Sequence, residues 1–326
     1  MTVSATDLRE FGSRLLAAAG ASADAASATA AQLVAAELRG HGSHGVRLVP
    51  DYTERLRDGR LDGSAEPEIV EDSGSTVVVD AHAALGQVTG PWLATLAAAR
   101  AREHGVAAVA VRRCGHLGRL FDLAEAIARA GAIGIIFAND AGRNAVVAPY
   151  GGSAPRLATN PLAVGIPRRQ PPHFVLDMAT SATSHGSVLV NRDAGRVDAP
   201  DTTDGDVLLP AAGAKGFGLA LVTEILSGAL TGAGHAGAEA AVDYQGILIV
   251  AIDIEHFVPR TELIDRVEQV IARVKDGNPG VRVPGETGAA AEAAAAGRVT
   301  VSATTWAKLS ALAAENGIEI PPTEEE

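Results

Sequence analysis

Apolar residues recur at three- and four-residue intervals between Thr6 and Ala19, with Leu8, Phe11, Leu15 and Leu16 on one face and Gly20 placed as a stop. Ser22 is positioned to cap a second helix that runs to about Arg39. Gly40, Gly42 and Gly45 then interrupt the pattern and predict a turn. Helical spacing resumes at His44: His44, Arg47 and Asp51 fall on one stripe, and Leu48, Tyr52 and Leu56 on another. Pro50 removes a helical hydrogen bond unless it sits in the first turn, so this helix either kinks or begins near Pro50.

Beyond this point short apolar runs alternate with helical spacing. Strands are expected at Thr76–Asp80, Val106–Arg112 and Ile133–Ala138, with helices at about Gly90–His104 and Leu117–Ala130 between them. Further strands at Leu162–Ile166, Phe174–Met178, Val207–Leu209 and Ile247–Ile252 accompany a helix over about Gly216–Thr231. Helices return at Thr261–Lys275 and Ser302–Glu315, and the alanine-rich tract Ala289–Ala296 reads as a surface helix because alanine is the best helix former. The result is an α/β protein whose sheet is buried on both faces. It divides into a helical region over 1–72, an α/β domain over 73–258 and a helical region over 259–326.

Composition narrows the partners. A formal charge of −12 argues against a nucleic-acid backbone as ligand, since such binders need a basic face. The lone cysteine, Cys114, excludes an internal disulfide and suits a reducing, cytoplasmic setting. No apolar run reaches the roughly 18 residues a membrane helix needs, and no basic stretch leads into an apolar one near the start.

Candidate chemistry concentrates in Arg39–Arg47, RGHGSHGVR. Two of the nine histidines stand here beside Ser43, Arg39 and Arg47. Imidazole exchanges a proton near neutrality and guanidinium grips a carboxylate with two parallel hydrogen bonds, which suits chemistry on a small carboxylate. A metal held by His41 and His44 is disfavoured, because a glycine-rich turn does not fix their spacing and no third ligand lies nearby. His116, in Gly115–Gly118, stands where a strand hands over to a helix, the edge where open α/β sheets collect ligands; a helix cap or a buried histidine is the competing reading. Asn139, Thr159-Asn160-Pro161 and Asp177 occupy similar strand ends and are equally good turn or cap residues. No Rossmann GxGxxG opens a βαβ unit. Gly213–Gly218, with Lys215, is either an anion-holding loop before a helix or an ordinary tight turn.

Taken together, RGHGSHG at Arg39–Gly45, GHLG at Gly115–Gly118, TNPLAVGIP at Thr159–Pro167, DMATS at Asp177–Ser181 and LLPAAGAKGFGLAL at Leu208–Leu221 resemble the malate/L-lactate dehydrogenase family that lacks a Rossmann domain. Its relatives include sulfolactate, ureidoglycolate and diketogulonate oxidoreductases and a reductase of piperideine-carboxylate. The resemblance implies a non-Rossmann, mixed-sheet α/β fold with helical N- and C-terminal regions packed together. It further implies a homodimer with its active site near the subunit interface, and NAD or NADP as cofactor.

By the same resemblance His44 is the proton donor to a small 2-oxo acid, Ser43 its hydrogen-bonding neighbour, and His116 a catalytic base or cofactor contact. Arg47 and Arg39 are the candidate carboxylate holders. Asn139, at its strand end, joins Thr159, Asn160, Pro161, Asp177, Met178, Ala179 and Lys215 as candidate cofactor contacts. The chain departs from the family in three places. Leu48 stands where an arginine is usual, one position after Arg47; Ser187 follows His185-Gly186 where some members have aspartate; and Ser187–Val207 and Gly232–Gln245 are short. The expected activity is therefore a 2-hydroxyacid dehydrogenase, with reduction of an imine carboxylate or a catalytically lapsed dinucleotide-binding protein as rivals.

Overall fold

The computed structural model describes residues 1–142, 145–184, 186–188, 190, 207–237 and 244–324. Helices α1 (Ala5–Ala18) and α2 (Ala23–Leu38) open the chain, capped by the hydroxyls of Ser4 and Ser22. With α3 (Val49–Arg57) they enclose a core of Leu8, Phe11, Leu15, Leu16, Leu33, Val34, Val49 and Tyr52. The end of the chain closes this core. Strand β1 (Thr2–Ser4) pairs antiparallel with β9 (Arg298–Thr300), and Leu309 and Ala313 of the last helix (Ala303–Glu315) pack into it, with Trp306 5.9 Å from Phe11 between ring centres. The N- and C-terminal regions therefore share one apolar core, as the resemblance implied.

The second core is built on a seven-stranded sheet. Its strands are β2 (Glu68–Asp72), β3 (Thr76–Asp80), β4 (Val106–Cys114), β5 (Ala132–Ala141), β6 (Leu162–Ile166), β7 (Phe174–Met178) and β8 (Tyr244–Asp253), in the spatial order β2-β3-β4-β8-β5-β6-β7. Only β3 and β4 run parallel, joined by the crossover helix α4 (Gly86–His104); every other neighbouring pair is antiparallel. Helix α5 (Leu120–Arg129) lies across β5 and β6 so closely that a Cβ on Gly165 would strike the Ala124 carbonyl. Small residues at this contact let an aromatic-poor chain pack densely.

Several boundaries differ from the sequence expectations. No helix starts at His44. Gly42–His44 and Val46–Leu48 are separate 3-10 turns, divided by an extended Gly45, and the helix begins at Val49 with Pro50 in its first turn, where the missing N–H costs nothing. The strand expected at Val207–Leu209 reduces to a single bridge between Leu208 and Val147. The helix expected over Gly216–Thr231 is α6 (Ala214–Thr223), followed by a π-helical segment, Glu224–Ala229. Helices α7 (Arg260–Lys275) and α8 (Glu286–Ala295) follow β8, and α8 covers the alanine-rich tract. No described helix is long and apolar enough to cross a membrane.

Candidate active site

The turn after α2 is held from beneath. The buried Glu37 carboxylate accepts a hydrogen bond from the Val46 amide at 2.9 Å, and it occupies the space a Cβ on Gly45 would need. Burial pushes Glu37 up to about 7, against the downward pull of the Val46 N–H and of Arg47. The glycines of this stretch thus serve two ends: they let the chain turn, and they admit a carboxylate that pins the turn.

Ser43 and His44 ride on that turn. Ser43 Oγ lies 3.0 Å from His44 Nδ1, and the His44 ring stacks on His116, 5.8 Å between centres at an interplanar angle of 17°. His116 comes from the loop after β4, so strand and helical core each contribute one imidazole. Burial, reinforced by His116, His41, Arg119 and Arg47, pushes His44 down to about 3; burial likewise lowers His116, opposed by Asp140. Two facing imidazoles among arginines cannot both hold protons at low cost, so both rest neutral.

A relay orients His116. Gln87 Nε2 donates to the Tyr52 hydroxyl at 3.1 Å and to the His116 carbonyl at 3.2 Å, and Tyr52 Oη lies 2.7 Å from His116 Nδ1. With Gln87 donating into the phenol oxygen, the Tyr52 proton is directed at Nδ1, which leaves the neutral ring protonated at Nε2. Gln245 ties the same loop to the sheet. It accepts from the Leu117 amide at 2.8 Å and donates to Asp140 at 3.0 Å.

Two cavities meet at the imidazole pair, and Ser43, His44, Thr159 and Ser184 line both. The first, about 490 Å³, is bounded by Arg39, Arg119, Phe121, Pro161, Asp177, Met178, Ala179 and the segment Arg282–Gly285. The second, about 610 Å³, adds His116, Arg47, Tyr52, Asp140 and Gln245. The structure therefore brings Ser43, His44, His116, Arg47, Arg39, Thr159, Pro161, Asp177, Met178 and Ala179 together around one junction.

Asn139, Asn160 and Lys215 are placed elsewhere. Asn139 and Asn160 are fully buried, and their amides donate to Glu224 at 3.3 and 2.6 Å; Lys215 is exposed near the start of α6. None of the three lines either cavity. Arg39 is partly committed as well, pairing with Glu292 at 2.9 Å and lying 4.6 Å over the Phe121 ring, although its buried Nη1 has no hydrogen-bond partner among the described residues. His185 lies outside the described residues, as does most of the short stretch after it. No group of three His, Cys, Asp or Glu able to hold a metal occurs among the described residues.

The sequence reading missed Glu37, Tyr52, Gln87, Arg119, Asp140 and Gln245 as site residues. Tyr52 is on the apolar stripe predicted for α3, which made it look like core. Asp140 follows Asn139 on β5, and because strand side chains alternate, one faces the interior and the other the second cavity. Extending that strand two residues past Ala138 would have exposed the alternation.

Comparison with known proteins identifies the family. A sequence profile described as malate/L-lactate dehydrogenase matches residues 3–310. The chain is 31% identical to an L-lactate dehydrogenase of Cupriavidus necator across 98% of this chain and 99% of the relative. It is 32% identical to a Δ1-pyrroline-2-carboxylate/Δ1-piperideine-2-carboxylate reductase of Pseudomonas syringae pv. tomato, covering 81% and 84% of the two chains. The solved malate dehydrogenase of Pyrococcus horikoshii superposes with a TM-score of 0.87 at 28% identity, over 98% of this chain and 96% of that one. With the profile spanning nearly the whole chain and the fold shared end to end, this protein belongs to the malate/L-lactate dehydrogenase family.

Proposed function

We propose that the protein is an NAD- or NADP-dependent oxidoreductase that interconverts a small 2-hydroxy acid and its 2-oxo acid. The observation that carries this is the His44–His116 pair standing where two cavities join, with arginines lining both. The first cavity fits a nicotinamide cofactor: Pro161 and Met178 offer apolar wall, while Arg39 and Arg119 bring buried N–H groups that lack partners among the described residues. When bound there, the cofactor supplies or receives the hydride.

The chain's own residues handle the carboxylate and the proton. Arg47, which lines the second cavity along with both imidazoles, holds the substrate carboxylate. His44 takes the hydroxyl proton during oxidation and returns it during reduction, a positioned acid or base being worth roughly 10²–10⁴-fold. Ser43 fixes the ring at Nδ1. His116, its tautomer set by Tyr52, presents Nε2–H to the same cavity and can polarise the substrate oxygen.

In the free protein His44 is neutral and so already prepared as a base. A bound anion that offsets Arg47 and Arg119 raises it towards the protonated form that reduction requires. The experiment is a panel of 2-oxo acids with reduced NAD and reduced NADP, followed by loss of the reduced-nicotinamide absorbance. Turnover that His44→Ala abolishes supports the assignment. Cofactor binding without turnover on any acid sinks it and leaves a lapsed dinucleotide-binding protein.

The P. syringae reductase gives a second reading weight, since C=N reduction next to a carboxylate uses the same groups. Preformed cyclic imines assayed beside 2-oxo acids, with and without amines, separate the two. We also propose a homodimer in a cytoplasmic setting. Leu219, Leu221, Val222, Ile225 and Leu230 are exposed together along α6 and the π-helical segment, an apolar surface suited to a second copy.

A further inference from the structure

We infer that Arg119 is an anion-holding residue of the first cavity and takes a phosphate of the nicotinamide cofactor. The inference rests on the oxidoreductase reading and adds a specific contact to it.

Arg119 is only 5% exposed. Asp122 meets its Nη2 at 2.7 Å, and the Phe121 ring lies 5.2 Å from the guanidinium, but Nε and Nη1 are buried with no hydrogen-bond partner among the described residues. A guanidinium presents its N–H groups as a fork, so Asp122 satisfies one edge and leaves the rest facing nothing that accepts. Buried donors are almost always paired, and a group left unpaired in a native site calls for a ligand or water to complete it.

Nearby protein groups do not fill that role. Asp177 lines the same cavity and feels the Arg119 charge, yet its Oδ2 accepts from the Phe121 amide at 2.9 Å and no hydrogen bond joins it to the guanidinium. Because Asp177 covers the first amides of α5, an incoming anion meets the Arg119 side chain and not the helix end. Arg39 adds a second unpartnered N–H in the same wall. The substrate carboxylate has its own guanidinium, Arg47, in the other cavity. Arg119 also borders a smaller, mainly apolar hollow beside Gln32 and Gln87, which offers an anion little else to hold it; in the first cavity it meets a nicotinamide nucleotide, whose only anionic groups are phosphates.

The test is direct binding without turnover. Wild-type protein, Arg119→Gln and Arg119→Lys are titrated with reduced NAD, reduced NADP, reduced nicotinamide mononucleotide and phosphate-free reduced nicotinamide riboside, with each variant's melting temperature recorded. Arg119→Gln should weaken the phosphate-bearing ligands tenfold or more and leave the riboside unchanged, and lysine should restore part of the loss. A loss that includes the mononucleotide assigns the phosphate next to nicotinamide. A loss confined to reduced NADP assigns the 2′-phosphate, and either outcome supports the inference. Unchanged affinities in a folded Arg119→Gln protein overturn it, as does a rise in KM for the 2-oxo acid with cofactor affinity intact. Should Arg119→Gln not fold, affinities of wild type and Arg119→Lys that are equal for every phosphate-bearing ligand, reduced NAD and reduced NADP included, overturn it. Wild-type protein that binds no nicotinamide ligand overturns the oxidoreductase reading along with it.

Discussion

The Tyr52 hydroxyl lies 2.7 Å from His116 Nδ1 and is itself a hydrogen-bond acceptor for Gln87, so a residue on α3 sets the tautomer of an imidazole on the loop after β4. Burial raises the phenol above its usual range, which keeps the proton on Tyr52 and the hydrogen bond directed at the ring. Tyr52→Phe removes the donor while keeping the ring's volume. A net loss of about 1 kcal/mol in stability is expected from one such bond, together with roughly a tenfold fall in kcat/KM from a misoriented imidazole. Urea unfolding and steady-state kinetics read the two effects separately. Wild-type turnover in a folded Tyr52→Phe protein would show that His116 orientation does not matter.

His44 makes stability depend on pH in a definite direction. Its pKa is pushed down to about 3 in the folded protein, from an ordinary value of 6.5, so between these values the unfolded chain binds the extra proton. Stability is therefore lost as pH falls below about 6.5, by about 2 kcal/mol at pH 5 for this group alone. His44→Asn should remove that part of the slope. Denaturation midpoints at pH 5 and pH 7 for both proteins check it; equal slopes mean that His44 titrates normally. For hydroxy-acid oxidation, kcat/KM should show no acid limb from His44 near pH 6.5, because the free protein already holds the neutral ring.

Glu37 acts in the opposite sense. Its folded value of about 7 lies above the ordinary 4.5, so its contribution is complete below about 4.5 and is lost as pH rises through 7. Glu37→Gln should flatten this loss between pH 5 and pH 8 while keeping an acceptor for the Val46 amide. Gly45→Ala offers an independent check, since its Cβ would overlap the Glu37 carboxylate and displace the turn that carries Ser43 and His44. At least a tenfold drop in kcat, with the fold intact by circular dichroism, is the expected result. Retained activity would mean the turn does not need this support.

How much of this was legible in the sequence depends on whether a contact is local. The helices α1 and α2 could be read because their burial repeats with the helical period, and Ser22 announced its cap. The central strands β3 to β8 were visible as apolar runs. Edge strand β2, Glu68–Asp72, is largely exposed and charged, and β1 and β9 span three residues each, so neither carries a periodic signal. The motif residues His44, His116 and Asp177 are far apart in sequence and are brought by the fold to the two adjoining cavities. Tyr52, Gln87 and Gln245 escaped notice because their partners are far away in sequence: Tyr52 and His116 are separated by 64 residues, Leu117 and Gln245 by 128. Asn139 and Asn160 looked like ligands for the complementary reason, since a polar residue at a strand end gives no hint that a buried carboxylate waits behind it.

That carboxylate is Glu224, the first residue of the π-helical segment, and it yields a last prediction. Its Oε1 accepts from the Ala236 amide at 2.7 Å and from Asn139 at 3.3 Å, and its Oε2 accepts from Asn160 at 2.6 Å. Asn160 has a positive φ of 40° and lies between Thr159 and Pro161, both of which line the first cavity. The strained residue needs its side chain anchored if those neighbours are to keep their places. Glu224→Gln would set an amide N–H against donors that now meet an oxygen, leaving at least one buried donor unpaired at a cost of about 1–3 kcal/mol. Glu224→Ala leaves the Ala236 amide without a partner and takes one of two acceptors from each asparagine amide, which keep only the Gly234 and Ala220 carbonyls, and should cost more. Because Glu224 lines neither cavity, weaker binding of reduced nicotinamide cofactor by Glu224→Gln must arise through displacement of the Thr159–Pro161 wall. Calorimetric titration and thermal unfolding of the same samples read both effects. Unchanged cofactor affinity in a destabilised variant would confine Glu224 to the fold and detach it from the site.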